Sequence, residues 1–174
     1  MARSLRLRSG GQAKPLYTPD QRRRRDASAW TLVQGVLAPL QFAVCLVSVG
    51  LIARYLVSGE GLAIANASVV AKTGVLYAIM ITGSIWEKAV FGRWLFADAF
   101  FWEDVVSMAV LALHTAYLMA LAGGLLGHEA LLILALAAYA TYAANAAQFL
   151  LKLRAARLGA GSGELPAAAL EPAR

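Results

Sequence analysis

Cysteine is almost missing from this 174-residue chain. Cys45 stands alone in an apolar setting, which excludes disulfides and cysteine-based metal sites. Histidine is scarce, with His114 and His128 the only copies. No phosphate-binding glycine loop, serine elbow or HExxH pair occurs, so nucleotide-dependent, serine-hydrolase and zinc-protease chemistry have no support. Charge is sparse as well: 15% of residues are charged against 60% hydrophobic, and the mean hydropathy of +0.62 is far from the usual soluble mix. Of the 16 basic and 10 acidic residues, ten precede Trp30, five follow Lys152 and eleven are left for the long middle. Water is expected at the ends and hydrocarbon between them.

What fills the middle is four apolar segments, Trp30 to Val57, Val69 to Trp86, Val105 to Leu126 and Ala130 to Leu151. Each approaches or exceeds the roughly 20 residues that cross a bilayer as helix. Short connections make neighbouring helices antiparallel, so the expected fold is all-α, an up-down integral membrane bundle of four transmembrane helices. Alternation of the kind a membrane β-barrel needs is missing. Arg22 to Arg25, Lys88, Arg93, Lys152, Arg154 and Arg157 fall at one end of this bundle, while Ser58 to Asn66 and Gly123 to Glu129 lack Lys and Arg. The positive-inside rule then puts both termini in the cytoplasm. Arg54 and Lys72 lie toward the other face and are expected to snorkel.

Three regions follow: a basic cytoplasmic tail over 1–29, the membrane domain over 30–157 and a Gly, Ala and Pro-rich tail over 158–174 expected to be disordered. The first tail has no apolar core and does not read as a signal peptide. Its arginine run reads as a topology signal held against anionic headgroups, at about 1 kcal/mol per basic residue near the surface. The run has no aromatic interleaving, and a nucleic-acid partner is not expected.

Chemistry concentrates in Ser84 to Asp104, where twenty-one positions hold six charged residues and seven aromatics. Polar residues also line the helices. Glu103, Ser107, His114 and Tyr117 stay within about 40° of one another at about 100° per residue. Thr31, Gln34, Gln41, Cys45 and Ser48 share a face on the first span, Thr73, Tyr77, Ser84 and Glu87 on the second, and Thr141, Asn145, Gln148 and Lys152 on the fourth. Four inward stripes would line a polar cavity open toward the cytoplasm. The plainer account is hydrogen-bonding between helices, at about 0.6 to 2 kcal/mol per pair. For Glu87, Glu103 and Asp104 the plainer account is an interfacial ion cluster with Lys88 and Arg93. For Trp86, Trp94 and Trp102 it is an aromatic belt at the headgroups.

A flat, mostly apolar ligand would use these features together, with aromatics against its faces, carboxyls at its edge and His114 as an axial ligand to a central metal. Bis-histidine haem is not expected, because His128 lies about 21 Å of helix rise from His114. The strings YTPDQRRRRDASAWTLVQGVLAPLQF, YAIMITGSIWEKAVFGRWLFADAFFWEDVVSMAVLALHTAYL and AAYATYAANAAQFLLKLRAARL carry a specific likeness. Over about Leu16 to Leu158 the chain resembles the vinyl chlorophyllide hydratases of bacteriochlorophyll biosynthesis. The resemblance implies a lyase that adds water to the 3-vinyl group of chlorophyllide a or a related vinyl chlorin, giving the 3-(1-hydroxyethyl) product. It implies a bacterial inner (intracytoplasmic) membrane as the location, and it brings no catalytic residues with it.

Chemistry assigns them instead. Hydration with the hydroxyl on the inner carbon needs a proton on the terminal CH2 and water on its neighbour, hence a carboxyl kept protonated by an apolar or like-charged setting. Glu103 is the expected acid and Glu87 the base, with Asp104 turned about 100° away toward solvent or Arg93. His114 is a possible ligand to the substrate magnesium. Tyr117, Asn145, Gln34, Gln41, Trp86 and Trp102 are expected around the ring, and Lys88 or Arg93 at the propionate. No cofactor of the protein's own is expected, since the magnesium belongs to the substrate and hydration transfers no electrons. Partners are the chlorin, the lipid bilayer and, for handover of a poorly soluble product, neighbouring pathway enzymes or a second copy of the chain. The competing class is a chlorin carrier or photosystem assembly factor, which has no need of a dry proton-donating carboxyl. A small transporter subunit would instead spread its charges through the spans.

Overall fold

The computed structural model describes residues 16–162, with side chains described over 16–157. Five helices and no strands occur in that range: α1 (Pro19–Ala27), α2 (Ala29–Ser58), α3 (Leu62–Phe91), α4 (Phe101–Gly123) and α5 (His128–Ser162). The last four are long and apolar enough to cross a membrane. Their outer surfaces present Leu32, Val36, Leu46, Val47, Ile81, Met119, Ile133 and Leu150. A bundle with leucine and valine outside and Ser48, Lys72, Thr73 and His114 fully inside is arranged for lipid rather than water.

Polar contacts set the register. Trp86 Nε1 donates to Thr31 Oγ1 at 3.0 Å, Gln34 to Thr82 at 2.7 Å, and Ser48 meets Ser68 at 2.7 Å, so α2 runs antiparallel along α3. Asn145 donates to Ser107 at 2.7 Å and Lys152 to Glu103 at 2.5 Å, aligning α5 with α4 in the same way. The hairpins α2–α3 and α4–α5 are each closely packed, and the seam between them is sparser. It is bridged by Ser48 and the Tyr139 hydroxyl at 2.7 Å, Tyr77 and Thr115 at 2.8 Å, and Tyr117 and Asn66 at 2.9 Å.

The helices extend beyond several of the expected spans, and three differences have a clear physical origin. α3 begins at Leu62 rather than Val69, because Asn66 and Ser68 find their partners inside the bundle and need no water. α5 runs to Ser162, five residues into the tail expected to be disordered; the rest of that tail, like residues 1–15 of the basic one, lies outside the described residues. The basic tail contains α1, whose signal is a capping box: Thr18 accepts from the Gln21 backbone, Gln21 accepts from the Thr18 backbone, and Pro19 opens the first turn. Tyr17 anchors α1 by stacking on Phe91 with centroids 5.8 Å apart, under the Arg25 guanidinium at 4.7 Å. Burial pushes the Tyr17 phenol above its ordinary pKa, against the opposing pull of Arg25.

Candidate active site

Gly92 ends α3 in the left-handed conformation, at φ 80°, and its N–H closes the last turn on Lys88. The chain then folds back over the bundle end and places Phe96 at φ 59°. A non-glycine residue held there costs about 1–3 kcal/mol. The unusual turn aims two consecutive N–H groups inward: Phe96 donates to Asp104 Oδ2 at 2.8 Å and Ala97 to Glu87 Oε2 at 3.1 Å. The Glu87 and Asp104 carboxyls face each other closely enough to interact. They are 5% and 4% exposed. A carboxylate can only accept, so a hydrogen bond between the two would require one proton in the pair.

An aromatic cage shields this end of the core. Phe100 stacks on Phe149 at 5.7 Å and meets Phe91 and Trp86 edge-on, each at 5.8 Å. Over Phe100, at 5.2 Å, sits the Lys152 ammonium on its way to Glu103.

The expected site residues divide by depth. At the loop end, Glu87, Asp104 and Glu103 are buried and Trp86 is in the cage, but the pairing differs from the expectation. Glu103 is neutralised by Lys152, and the partner of Glu87 is Asp104, which faces neither solvent nor Arg93. Arg93 pairs with Asp98 at 3.1 Å on the surface, Lys88 donates to the Gly92 carbonyl at 2.9 Å, and Trp102 is 69% exposed. Gln34 is taken by Thr82 between α2 and α3. Deeper in the bundle are Gln41, His114, Tyr117 and Asn145. His114 Nδ1 donates to the Val110 carbonyl at 2.8 Å, leaving a lone pair on Nε2. His114 lies about 15 Å of helix rise from Asp104.

Sequence reasoning missed two groups. Lys72, expected to snorkel, is fully buried with its Nζ 4.0 Å from the Tyr142 ring centroid. Its place in the series Ala65, Val69, Lys72, Leu76, all buried, was the available signal. Phe96 had none, since nothing in its side chain favours a left-handed backbone.

The model of the 2-vinyl bacteriochlorophyllide hydratase family matches residues 17–155, which include every residue of the carboxyl cluster. The chain belongs to that family. It is 64% identical over 143 residues to the 2-vinyl bacteriochlorophyllide hydratase of Cereibacter sphaeroides, covering 82% of this chain and 89% of that one. To the protein of the same name from Rhodobacter capsulatus it is 60% identical over 149 residues, 86% of each chain. No solved structure matches. The family match spans the loop that holds Glu87 and Asp104 and all four long helices, and it stops short of the end of α5.

Proposed function

We propose that this chain is a hydro-lyase that adds water to the 3-vinyl group of chlorophyllide a or a close vinyl chlorin, and that the Glu87–Asp104 pair supplies and recovers the proton. The observation that carries the proposal is a pair of neighbouring carboxyls, both buried and each held by one N–H group of the Phe96–Ala97 turn. One member gives its proton to the terminal CH2, and the new C–H bond leaves a cation on the inner carbon, conjugated with the macrocycle. Water adds there, and its surplus proton goes to the other carboxylate, so the pair again holds one proton and no electrons are exchanged. The Glu103–Lys152 ion pair is fixed charge beside the reaction, suited to steadying the pair rather than to giving up a proton. No resident cofactor is needed for this balance.

The bundle end carrying Arg22 to Arg25, Lys88, Arg93, Lys152, Arg154 and Arg157 is assigned to the cytoplasmic side of a bacterial inner membrane. Exposed Trp94 and Trp102 suit the headgroup level there. A hydrophobic chlorin would come from the bilayer through the hairpin seam, where Tyr77, Met80, Ile81, Leu111 and Thr115 line an apolar hollow of about 270 Å³. With its vinyl group at the carboxyl pair, the far edge of the macrocycle, rather than its magnesium, comes level with His114.

The test is incubation of chlorophyllide a with the purified chain, without nucleotide or reductant, followed by absorbance and mass. Hydratase activity shortens the conjugation, moves the long-wavelength band to the blue and adds the mass of one water. Pigment bound with unchanged mass would instead indicate a carrier.

A further inference from the structure

Four buried side-chain atoms have no hydrogen-bond partner among the described residues: Gln41 Oε1, Lys72 Nζ, His114 Nε2 and Asn145 Oδ1. Each of the four long helices contributes one. Three of the atoms are acceptors, and the fourth is an ammonium with three donors. The acidic residues of these helices, Glu87, Glu103, Asp104 and Glu129, all lie within five residues of a helix end, and Lys72 makes no ion pair among the described residues. The groups facing it are the Tyr142 ring at 4.0 Å and the Tyr139 ring at 5.9 Å on α5, with Cys45 on α2 and His114 on α4 close enough to interact electrostatically. A buried cation in a membrane core with aromatic faces for company and donors to spare points to a ligand oxygen.

Depth says which one. Lys72 lies fifteen residues, about 22 Å of helix rise, from Glu87 on α3, and its ammonium meets the ring of Tyr142, which lies ten residues, about 15 Å, from Lys152 on α5. The shorter of these separations is comparable to the long dimension of a chlorin, from its vinyl group to the ring carbonyl on the opposite edge. The seam between the hairpins is sparsely bridged, and Lys72 sits on one hairpin with Tyr142 on the other. Resting on the hydratase reading, we infer that Lys72 is a positioning residue: it donates to that carbonyl oxygen when the macrocycle enters the seam, and so fixes the vinyl group at the Glu87–Asp104 pair. Recognition of the far edge would make the enzyme selective for chlorins that already carry the ring ketone.

The test compares the keto pigment with a deoxo analogue in which that carbonyl is a methylene, using the full-length chain in lipid nanodiscs. The wild type is expected to lose about 10- to 100-fold in kcat/KM on the analogue, the scale of a hydrogen bond to a charged group, chiefly through KM and pigment Kd. Lys72→Met should show the same loss on the keto pigment and no further loss on the analogue. Equal handling of the two pigments by the wild type, or an equal loss on both in Lys72→Met, would overturn the inference. If that variant fails to fold, the wild-type comparison decides alone. A wild type that hydrates neither pigment defeats the hydratase reading, and the ratio of the two pigment Kd values then still decides the role of Lys72.

Discussion

Glu87 on α3 and Asp104 on α4 bring their carboxyls within interaction range, each capped by one of two neighbouring backbone N–H groups from the loop between their helices. The pairing joins the hairpins at the end where the loop closes, and it separates these two acids from Glu103, one residue away in sequence and committed to Lys152.

That separation predicts different phenotypes for adjacent residues. Glu103→Gln leaves Lys152, whose side chain is 29% exposed, short of a partner, and is expected to cost about 1–3 kcal/mol of stability. Lys152→Met combined with Glu103→Gln should recover part of that loss, a coupling read from thermal unfolding of the two single variants and the double variant. Hydration per folded molecule should fall less in Glu103→Gln than in either variant of the Glu87–Asp104 pair.

Phe96 offers a separate test of the loop. With φ at 59°, glycine fits the backbone better than alanine does, so Phe96→Gly should be more stable than Phe96→Ala by about 1 kcal/mol. Both remove the same ring contacts, and the difference isolates the backbone. Unfolding midpoints of the two variants, measured side by side in one detergent, check it.

Tyr17 holds α1 to the bundle through Phe91 and Phe100. Tyr17→Ala removes a side chain only 8% exposed and should release the helix without unfolding the bundle. Trypsin cutting at Arg22 to Arg25 should then be at least several-fold faster than in the wild type, with the melting of the four long helices nearly unchanged.

Legibility followed the range of the interactions. The four spans were readable because each is apolar over most of a bilayer thickness, a signal that survives errors of several residues. The α3 start was not, since Asn66 and Ser68 resemble loop residues until their partners on α4 and α2 are known. α1 was locally encoded by Thr18, Pro19 and Gln21 and overlooked beside its arginines. At the site, the segment rich in acids and aromatics was readable from composition. Which carboxyl Glu87 meets was not, because a backbone turn at Phe96 decides it. Lys72 is the opposite case: its helical spacing with Ala65, Val69 and Leu76 marks the buried face, and that spacing decides its place against the habit of lysines to snorkel.

The most direct measurement is single-turnover hydration of chlorophyllide a by Glu87→Gln and Asp104→Asn, with pigment binding recorded on the same samples. A proton-handling pair predicts rates about 10²- to 10⁴-fold below wild type in both variants, with binding changed by no more than a few-fold. Near-wild-type rates in either variant, with the pigment bound normally, would contradict the account.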